Sequence, residues 1–188
     1  MSAHLPIDER LHRAGQHIVR GRLFFDLWFY FEGAETRPNV IETMREYNEF
    51  FRFTPHAYLV AYVVYIAGMF DKRKDTINLI RLSQEMKAAH LIQGQTITEV
   101  DALLASVTPL VSKVTILRHN AFAHRSASIS YDAAFKKAEV TADQLRDLTE
   151  LALKIVNRLL LARGLKDEVF TSLPLEAAKA MMKALAAA

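Results

Sequence analysis

The sequence predicts an all-α protein of about five to seven helices. The 188 residues include only 6 Gly and 5 Pro, the residues that most often interrupt a helix. Alternation of β-branched and polar residues, which is typical of strands, is nearly absent. Hydrophobic residues make up 51% of the chain, enough for one good core, so we expect a single domain over residues 1–188.

Charge and cysteine content limit the compartment and the partners of the protein. The formal net charge of +3 is mildly basic, which is compatible with an anionic partner without being diagnostic of one. The chain has no cysteine, which excludes disulfides and thiolate metal sites and fits a reducing compartment. Because the N-terminal segment is polar, rich in arginine and without a secretory signal, we expect a cytoplasmic protein.

The first predicted helix runs from about residue 8 to residue 31. Its early part is amphipathic, with one apolar face formed by Leu11, Ala14 and Ile18. Its late part, residues 23–31, is apolar on almost every side, which predicts burial in its own core or against a second subunit. Gly33 then marks the end of the helix.

The next two predicted helices begin at prolines. Pro38 suits the first turn of a helix that reaches about Arg52, and Thr54 suits an N-cap with Pro55 at the first helical position. The stretch 53–70 contains no Asp, Glu, Lys or Arg. The helix within it would be only about 24 Å long, however, against about 30 Å for a bilayer core. We therefore expect a buried helix and no membrane partner.

Three tyrosines recur at helical spacing in this helix: Tyr58, Tyr62 and Tyr65. We expect them to pack in the core with their hydroxyl groups satisfied at its edge. The alternative is a platform on which RNA bases stack.

A charged turn and a long helix are predicted next. The turn, residues 71–75, carries three cations that could contact a phosphate backbone, although a short charge run is usually just solvated. A helix over residues 76–89 follows it. Thr98 and Asp101 then resemble a capping arrangement that opens a long helix ending at Leu117.

Three further helical segments complete the predicted bundle. Residues 131–138 could hold one or two turns. Thr141 and Gln144 form a capping-box pattern at the start of a helix that ends at Gly164. Pro174 begins a last helix.

The stretch 117–125 holds the densest cluster of side chains capable of catalysis. Arg118 can clamp a phosphate through two parallel hydrogen bonds, and His119 and His124 can exchange protons near neutral pH. Asn120 can both donate and accept hydrogen bonds. Together they could perform phosphodiester chemistry without a metal. Alternatively, the arginine and the histidines could simply complement the dipole at the end of a helix.

The spacing of Arg118 and His124 restricts the geometry of such a site. Six residues apart on a straight helix, their side chains would point about 240° apart. They can face one phosphate only if the helix bends or ends between them, or if two subunits assemble the site. Ala121, Phe122 and Ala123 are small or apolar, so we expect them to anchor this segment to the core.

Other patterns favour neither a metal nor a cofactor. His12 and His17 are five residues apart, do not share a helix face and lack an HExxH context. The sequence also contains no glycine-rich phosphate loop and no Ser-His-Asp signature.

The pattern from Arg118 to His124 resembles the R-x(4–6)-H signature of HEPN domains, with His119 in the polar position after the arginine. The segment 69–79, one helix before the motif, resembles the AbiU-type branch, which is named for abortive-infection proteins of bacteria. The likeness covers roughly residues 10–165, and it leaves 166–188 as a C-terminal extension helix.

The resemblance implies a metal-independent endoribonuclease, often a toxin or anti-phage effector with an antitoxin protein as partner. It also implies an up-and-down helical bundle that forms a homodimer, so that two motifs line one cleft. Arg118 would hold the scissile phosphate, and His124 would act as general base on the ribose 2′-hydroxyl or as acid on the leaving 5′-oxygen. His119 would support either step. Asn120 and Arg125 would contact the RNA.

The sequence departs from the family pattern at one position, and two alternatives to an active toxin stay open. Many HEPN toxins that are paired with nucleotidyltransferase antitoxins have a tyrosine two residues after the histidine. Here that position is Ser126, so regulation by modification of such a tyrosine is not expected. Some HEPN proteins are catalytically silent and bind RNA or a protein partner. A third alternative is a plain helical dimer, in which intrachain partners engage Arg118 and His124 and neither faces a groove.

Overall fold

A computed structural model describes residues 5–71, 73, 75–122 and 131–187, with the side chains of Tyr131 and Asp132 excepted. All regular structure in these ranges is helical, so the all-α prediction is confirmed. The α-helices are α1 (Ile7–Glu32), α2 (Ile41–Glu46), α3 (Asn48–Phe51), α4 (Thr54–Gly68), α5 (Leu79–Ala88), α6 (Gly94–Leu117), α7 (Tyr131–Ala138), α8 (Ala142–Ala162) and α9 (Leu173–Leu185). A 3₁₀ turn, Arg37–Asn39, precedes α2, and a π-helical turn, Arg118–Phe122, continues α6.

Helix α1 is central to the bundle, because it packs extensively against both α4 and α8, and α6 packs against α8 as well. The predicted apolar face of α1 is confirmed, since Leu11, Ala14 and Ile18 are fully buried. Burying a side chain of leucine size contributes about 1.5–3 kcal/mol. In the late part of α1, Phe25 and Phe31 are buried, whereas other aromatic residues are half-buried against the core. The late part of α1 is therefore not buried on every side within one chain.

A smaller apolar cluster connects the C-terminal extension to the end of α1. Met182 of α9 is buried in this cluster together with Phe31, Val40, Met44 and Phe51. The last helix thus packs onto the bundle rather than extending away from it.

The predicted packing of the tyrosines in the core is confirmed for Tyr62. Its ring is fully buried, and its hydroxyl lies 2.6 Å from the Leu145 carbonyl and 3.1 Å from the Thr149 hydroxyl of α8. Burial raises the pKa of Tyr62, so its hydroxyl stays protonated and can donate to the carbonyl. The hydroxyl therefore links α4 to α8 inside the core.

Replacing this hydroxyl should cost a modest amount of stability. Tyr62→Phe is expected to lower the free energy of unfolding by about 1 kcal/mol, the typical net value of one intramolecular hydrogen bond. The Thr149 hydroxyl still donates to the Leu145 carbonyl at 2.9 Å, which limits the loss. Urea unfolding followed by circular dichroism measures it, with Tyr47→Phe as control because Tyr47 is exposed. Equal stability of the two variants would show that the buried bond contributes nothing net.

The predicted helix from Pro38 to Arg52 is wrong, because the chain forms a 3₁₀ turn followed by the two short helices α2 and α3. The break falls at Tyr47, whose backbone (φ −105°, ψ 39°) is not helical. Thr54 is also not an N-cap but the first residue of α4. Its hydroxyl donates to the Phe50 carbonyl at 2.8 Å, one turn back.

Helix α5 begins three residues later than predicted, at Leu79. Asn78 is its N-cap, because the side-chain oxygen accepts a hydrogen bond from the Arg81 backbone N–H at 2.8 Å. A capping side chain ends the preceding turn and fixes where the helix starts.

The capping arrangement predicted at Thr98 and Asp101 is also wrong. Helix α6 begins one turn earlier, at Gly94, and Asp101 instead pairs with Lys87 of α5. Gly94 has a φ of 51°, a backbone conformation that glycine adopts at little cost. The turn into α6 therefore depends on backbone geometry and not on a side-chain cap.

The capping box at the start of α8 is confirmed. The Gln144 backbone N–H donates to the Thr141 hydroxyl at 3.2 Å, and the Thr141 backbone N–H donates to the Gln144 side chain at 3.3 Å. Gly164 follows the end of α8, as predicted, with a φ of 68°. The last helix begins at Leu173, one residue before Pro174.

Candidate functional site

The candidate motif begins where α6 changes its helical pitch. The five residues Arg118–Phe122 form a π-helical turn at the end of α6. Such turns are wider than α-helical ones and occur frequently at functional sites. For Arg118 and His124 to face one phosphate, the helix must bend or end between them, or two subunits must assemble the site. The change of pitch lies between these two residues. Ala123, His124 and Arg125 lie outside the described residues, so the convergence of Arg118 and His124 stays a prediction.

Arg118 is held by a carboxylate from the segment that follows α4. Its Nη1 atom donates to Oδ2 of Asp71 at 2.9 Å, and the two side chains are 22% and 15% exposed. Asp71 also accepts a hydrogen bond from the Arg73 backbone N–H at 3.1 Å, and the Arg73 Nε lies 3.3 Å from its Oδ2. One carboxylate therefore contacts two arginines and fixes the position of the Arg118 guanidinium.

Sequence reasoning missed this role of Asp71. The residue was identified only as part of a charged turn, and of the three cations in that turn Arg73 is described, while Lys72 and Lys74 lie outside the described residues. The described part of the turn is thus not simply solvated, because Asp71 connects it to the candidate motif.

Burial opposes ionisation of Asp71, but hydrogen bonds from Arg118 and Arg73 outweigh it, so the pKa of Asp71 lies below its ordinary value. A lowered pKa means that the ionised carboxylate stabilises the folded state. This stabilisation is fully present above the pKa of an unfolded aspartate, about 3.9, and it is lost as the pH falls through the lowered pKa of the folded state.

Asp71→Asn is therefore expected to destabilise the protein at pH 7 by about 1.5–3 kcal/mol, the range for hydrogen bonds to charged groups. The difference from wild type should shrink as the pH falls below about 4. Urea unfolding at pH 7, 5 and 3 measures the trend, and Asp75→Asn is the matched control because Asp75 is exposed. A difference that does not change with pH would show that Asp71 acts through packing and not through its charge.

His119 and Asn120 occupy different environments within the π-helical turn. His119 is exposed, whereas Asn120 is half-buried and donates from Nδ2 to the Ile116 carbonyl at 2.9 Å. The amide nitrogen of Asn120 therefore contacts its own helix, and the predicted contact of Asn120 with RNA stays a prediction.

Phe122 anchors the end of the turn, as the sequence predicted. Its ring packs edge-on against His56 of α4 and Phe135 of α7, each with a centroid distance of 5.9 Å. These contacts place the π-helical turn between α4 and α7. Ala121 beside it is half-buried.

Two cavities meet at the Asp71–Arg118 pair. The first, called here the α6 groove, has a volume of about 850 Å³ and runs along α6. It is lined mainly by apolar or small side chains, including Phe70, Ile80, Leu104, Thr108, Val111 and Ile116. Arg118 and His119 lie at its C-terminal end. The second cavity, about 460 Å³, lies between α1 and α4 and is called here the α1–α4 pocket.

The stretch Gly94–Phe122, which comprises α6 and the π-helical turn, combines an apolar composition with low burial. It is 29 residues long, and its most apolar window of 18 residues has a mean hydropathy of 1.6. Within the described ranges, its length and composition alone would allow it to cross a membrane. Core helices pass the same test, but only 22% of its most apolar window is buried. The α6 groove therefore leaves an apolar helix face uncovered in the isolated chain.

In the parts of the chain that the structure describes, no group of three or more His, Asp or Glu side chains lies close enough to hold a metal ion. A reaction that needs no metal stays a prediction.

Comparison with known proteins identifies the family. A family model described as AbiU2, of the HEPN type, matches residues 5–164, most of the chain. No curated protein and no solved structure matches the chain. The matched region contains the π-helical turn, Asp71 and both cavities. The chain therefore belongs to the AbiU2 family of HEPN domains.

Proposed function

We propose that this protein is a metal-independent endoribonuclease of the HEPN type, a toxin or anti-phage effector that cleaves RNA through Arg118 and His124. The main support for the proposal is the position of Arg118. It lies in a π-helical turn at the end of an open groove, and one of its nitrogens donates to Asp71. A guanidinium has five N–H donors, so one contact with Asp71 leaves capacity to bind a phosphate.

In the proposed reaction, Arg118 binds the non-bridging oxygens of the scissile phosphate and stabilises the charge that develops on them. His124 removes the proton of the 2′-hydroxyl, and the 2′-oxygen forms a bond to phosphorus. The bond from phosphorus to the 5′-oxygen breaks, and this oxygen takes up a proton from a second imidazole. The products are a 2′,3′-cyclic phosphate and a 5′-hydroxyl. His119 supports the proton transfers, and Asn120 and Arg125 contact the RNA.

The proposed active form is a cytoplasmic homodimer in which a second copy of the chain covers the α6 groove. An apolar groove of this length is unfavourable in water, and a two-fold axis near its C-terminal end would bring two copies of Arg118 and His119 together. A second set of histidines would then divide the acid and base tasks. An antitoxin protein is the further partner expected for a toxin of this kind.

The test is cleavage of single-stranded RNA by purified protein in the presence of EDTA. His124→Ala is expected to lose at least about 100-fold in rate while keeping its circular dichroism spectrum, because general acid–base groups typically contribute this much or more. Equal cleavage by wild type and variant would identify a contaminating nuclease and remove the proposal.

A silent HEPN module that binds RNA or a protein is the second candidate, and one observation favours it: Asp71 already occupies one donor of Arg118, which nevertheless lines a groove. The intrachain contact is also expected of the plain helical dimer, but the groove is not. RNA binding that weakens steeply with salt, without any cleavage, would support this candidate.

A further inference from the structure

The α1–α4 pocket adjoins the candidate motif, because Arg118 forms part of its wall. Asp71 and Arg118, which line the α6 groove, also line this pocket. Its other walls include His17 of α1, Tyr65 of α4 and Arg73. A volume of about 460 Å³ is within the usual range of small-molecule sites, about 300–1,000 Å³.

The pocket has an aromatic wall. The rings of His17 and Tyr65 lie 5.3 Å apart, tilted by 41°, and both side chains are half-buried. Tyr65 also packs against Phe24 of α1, with ring centroids 5.6 Å apart, which restricts its motion. Half-buried rings held in this way provide a surface on which a nucleobase can stack.

The pocket is also weakly basic. Among its described lining residues, Arg73 and Arg118 are cationic, and Asp71 is acidic and contacts both. Burial and the nearby cations Arg20 and Arg13 lower the pKa of His17, so its imidazole is neutral at pH 7. A neutral ring offers both a stacking face and a hydrogen-bond acceptor.

We propose that the α1–α4 pocket is a nucleoside subsite, in which a base stacks on His17 and Tyr65 while its phosphate contacts Arg118 and Arg73. The subsite rests on the proposed function and extends it, because the bound nucleoside would be one neighbour of the scissile phosphate in the RNA. The strand would then pass over Arg118, at the end of the α6 groove that the second copy covers, and into the pocket. This assignment gives His17 and Tyr65 a role in binding, outside the HEPN motif.

Proton NMR of the histidine rings tests the subsite without requiring catalysis. The Hε1 signal of His17 is assigned by its loss in His17→Gln. Adenosine 5′-monophosphate is expected to shift this signal through its ring current, whereas inorganic phosphate at the same concentration is expected to shift it much less. In the His124→Ala variant, which is expected not to cleave, a tetra-adenylate RNA should bind more tightly than the mononucleotide, because neighbouring phosphates add contacts.

Two variants test the aromatic wall. Tyr65→Leu and His17→Gln should each weaken binding of adenosine 5′-monophosphate about tenfold, as loss of one stacking partner does. Tyr47→Leu and His90→Gln are the matched controls, since both residues are exposed and neither lines the pocket. Circular dichroism shows whether each variant is folded. If Tyr65→Leu does not fold, His17→Gln alone tests the aromatic wall.

The outcomes separate the subsite from the nuclease. Unchanged affinity in both variants, or equal His17 shifts with phosphate and nucleotide, would overturn the subsite. A mononucleotide that binds as tightly as the tetra-adenylate would mean a site for free nucleotides and would overturn its assignment to RNA. Nucleotide binding by a protein that never cleaves RNA would refute the nuclease and leave the subsite standing.

Discussion

Arg118→Ala is expected to lower the rate of RNA cleavage by at least about 100-fold, because removing one donor that stabilises a developing oxyanion typically costs 100- to 1,000-fold. Arg118→Lys keeps the charge but loses the planar fork that binds two phosphate oxygens, so it should fall between wild type and the alanine variant. Single-turnover cleavage of a labelled single-stranded RNA in EDTA measures both rates. Arg45→Ala is the control, because Arg45 is exposed on α2 and pairs with Glu42.

The ion pair with Asp71 permits a stricter version of this experiment. Arg118→Ala removes a partner of the half-buried Asp71 and should also destabilise the fold. The double variant Asp71→Asn, Arg118→Ala has no carboxylate at position 71, so no charge there lacks its arginine partner. Part of the stability should therefore return, while cleavage stays lost. Cleavage that returns together with stability would show that Arg118 has only a structural role. Wild-type rates in Arg118→Ala would exclude it from the reaction.

Val111→Asp is expected to weaken the proposed homodimer by at least about 100-fold, since burying an unpaired carboxylate in an apolar interface costs several kcal/mol. Val111 lines the α6 groove and is half-buried in the isolated chain. At a fixed protein concentration the rate of cleavage should fall with the dimer fraction. Sedimentation equilibrium measures the dimer, and circular dichroism confirms that the variant is folded.

Ser106→Asp is the matched control, because Ser106 is exposed on the same helix and does not line the groove. It should leave both the dimer and the cleavage unchanged. A wild-type protein that is monomeric at all concentrations would contradict the dimer. Flotation of such a monomer with phospholipid vesicles would instead assign the apolar face of α6 to a membrane.

The parts of the fold that were predictable depend on contacts close in sequence. The apolar face of α1 at Leu11 and Ile18 follows from helical periodicity, and the two residues of the capping box, Thr141 and Gln144, lie three positions apart. The start of α6 was misplaced because it depends on the backbone conformation of Gly94, which no side-chain pattern marks. Local signals thus identify most helices better than their boundaries.

The candidate site shows the same limit over a longer distance. The motif containing Arg118 can be recognised from residue types alone, whereas the π-helical turn that continues α6 has no signal in the sequence pattern. The contact between Arg118 and Asp71 joins residues 47 positions apart, and it exists only because α4 and α6 are brought together by the core. The α1–α4 pocket likewise requires three separate parts of the chain to meet.

The proposed nuclease cleaves RNA by attack of a ribose 2′-oxygen on the adjacent phosphate. The most direct test compares two oligonucleotides that differ by a single 2′-deoxy substitution at the cleaved position, both incubated with wild-type protein in EDTA. We expect the all-ribose substrate to yield a 2′,3′-cyclic phosphate and a 5′-hydroxyl, and the substituted one to stay intact at that position. Cleavage of the deoxy position, or products that carry a 5′-phosphate, would contradict the mechanism.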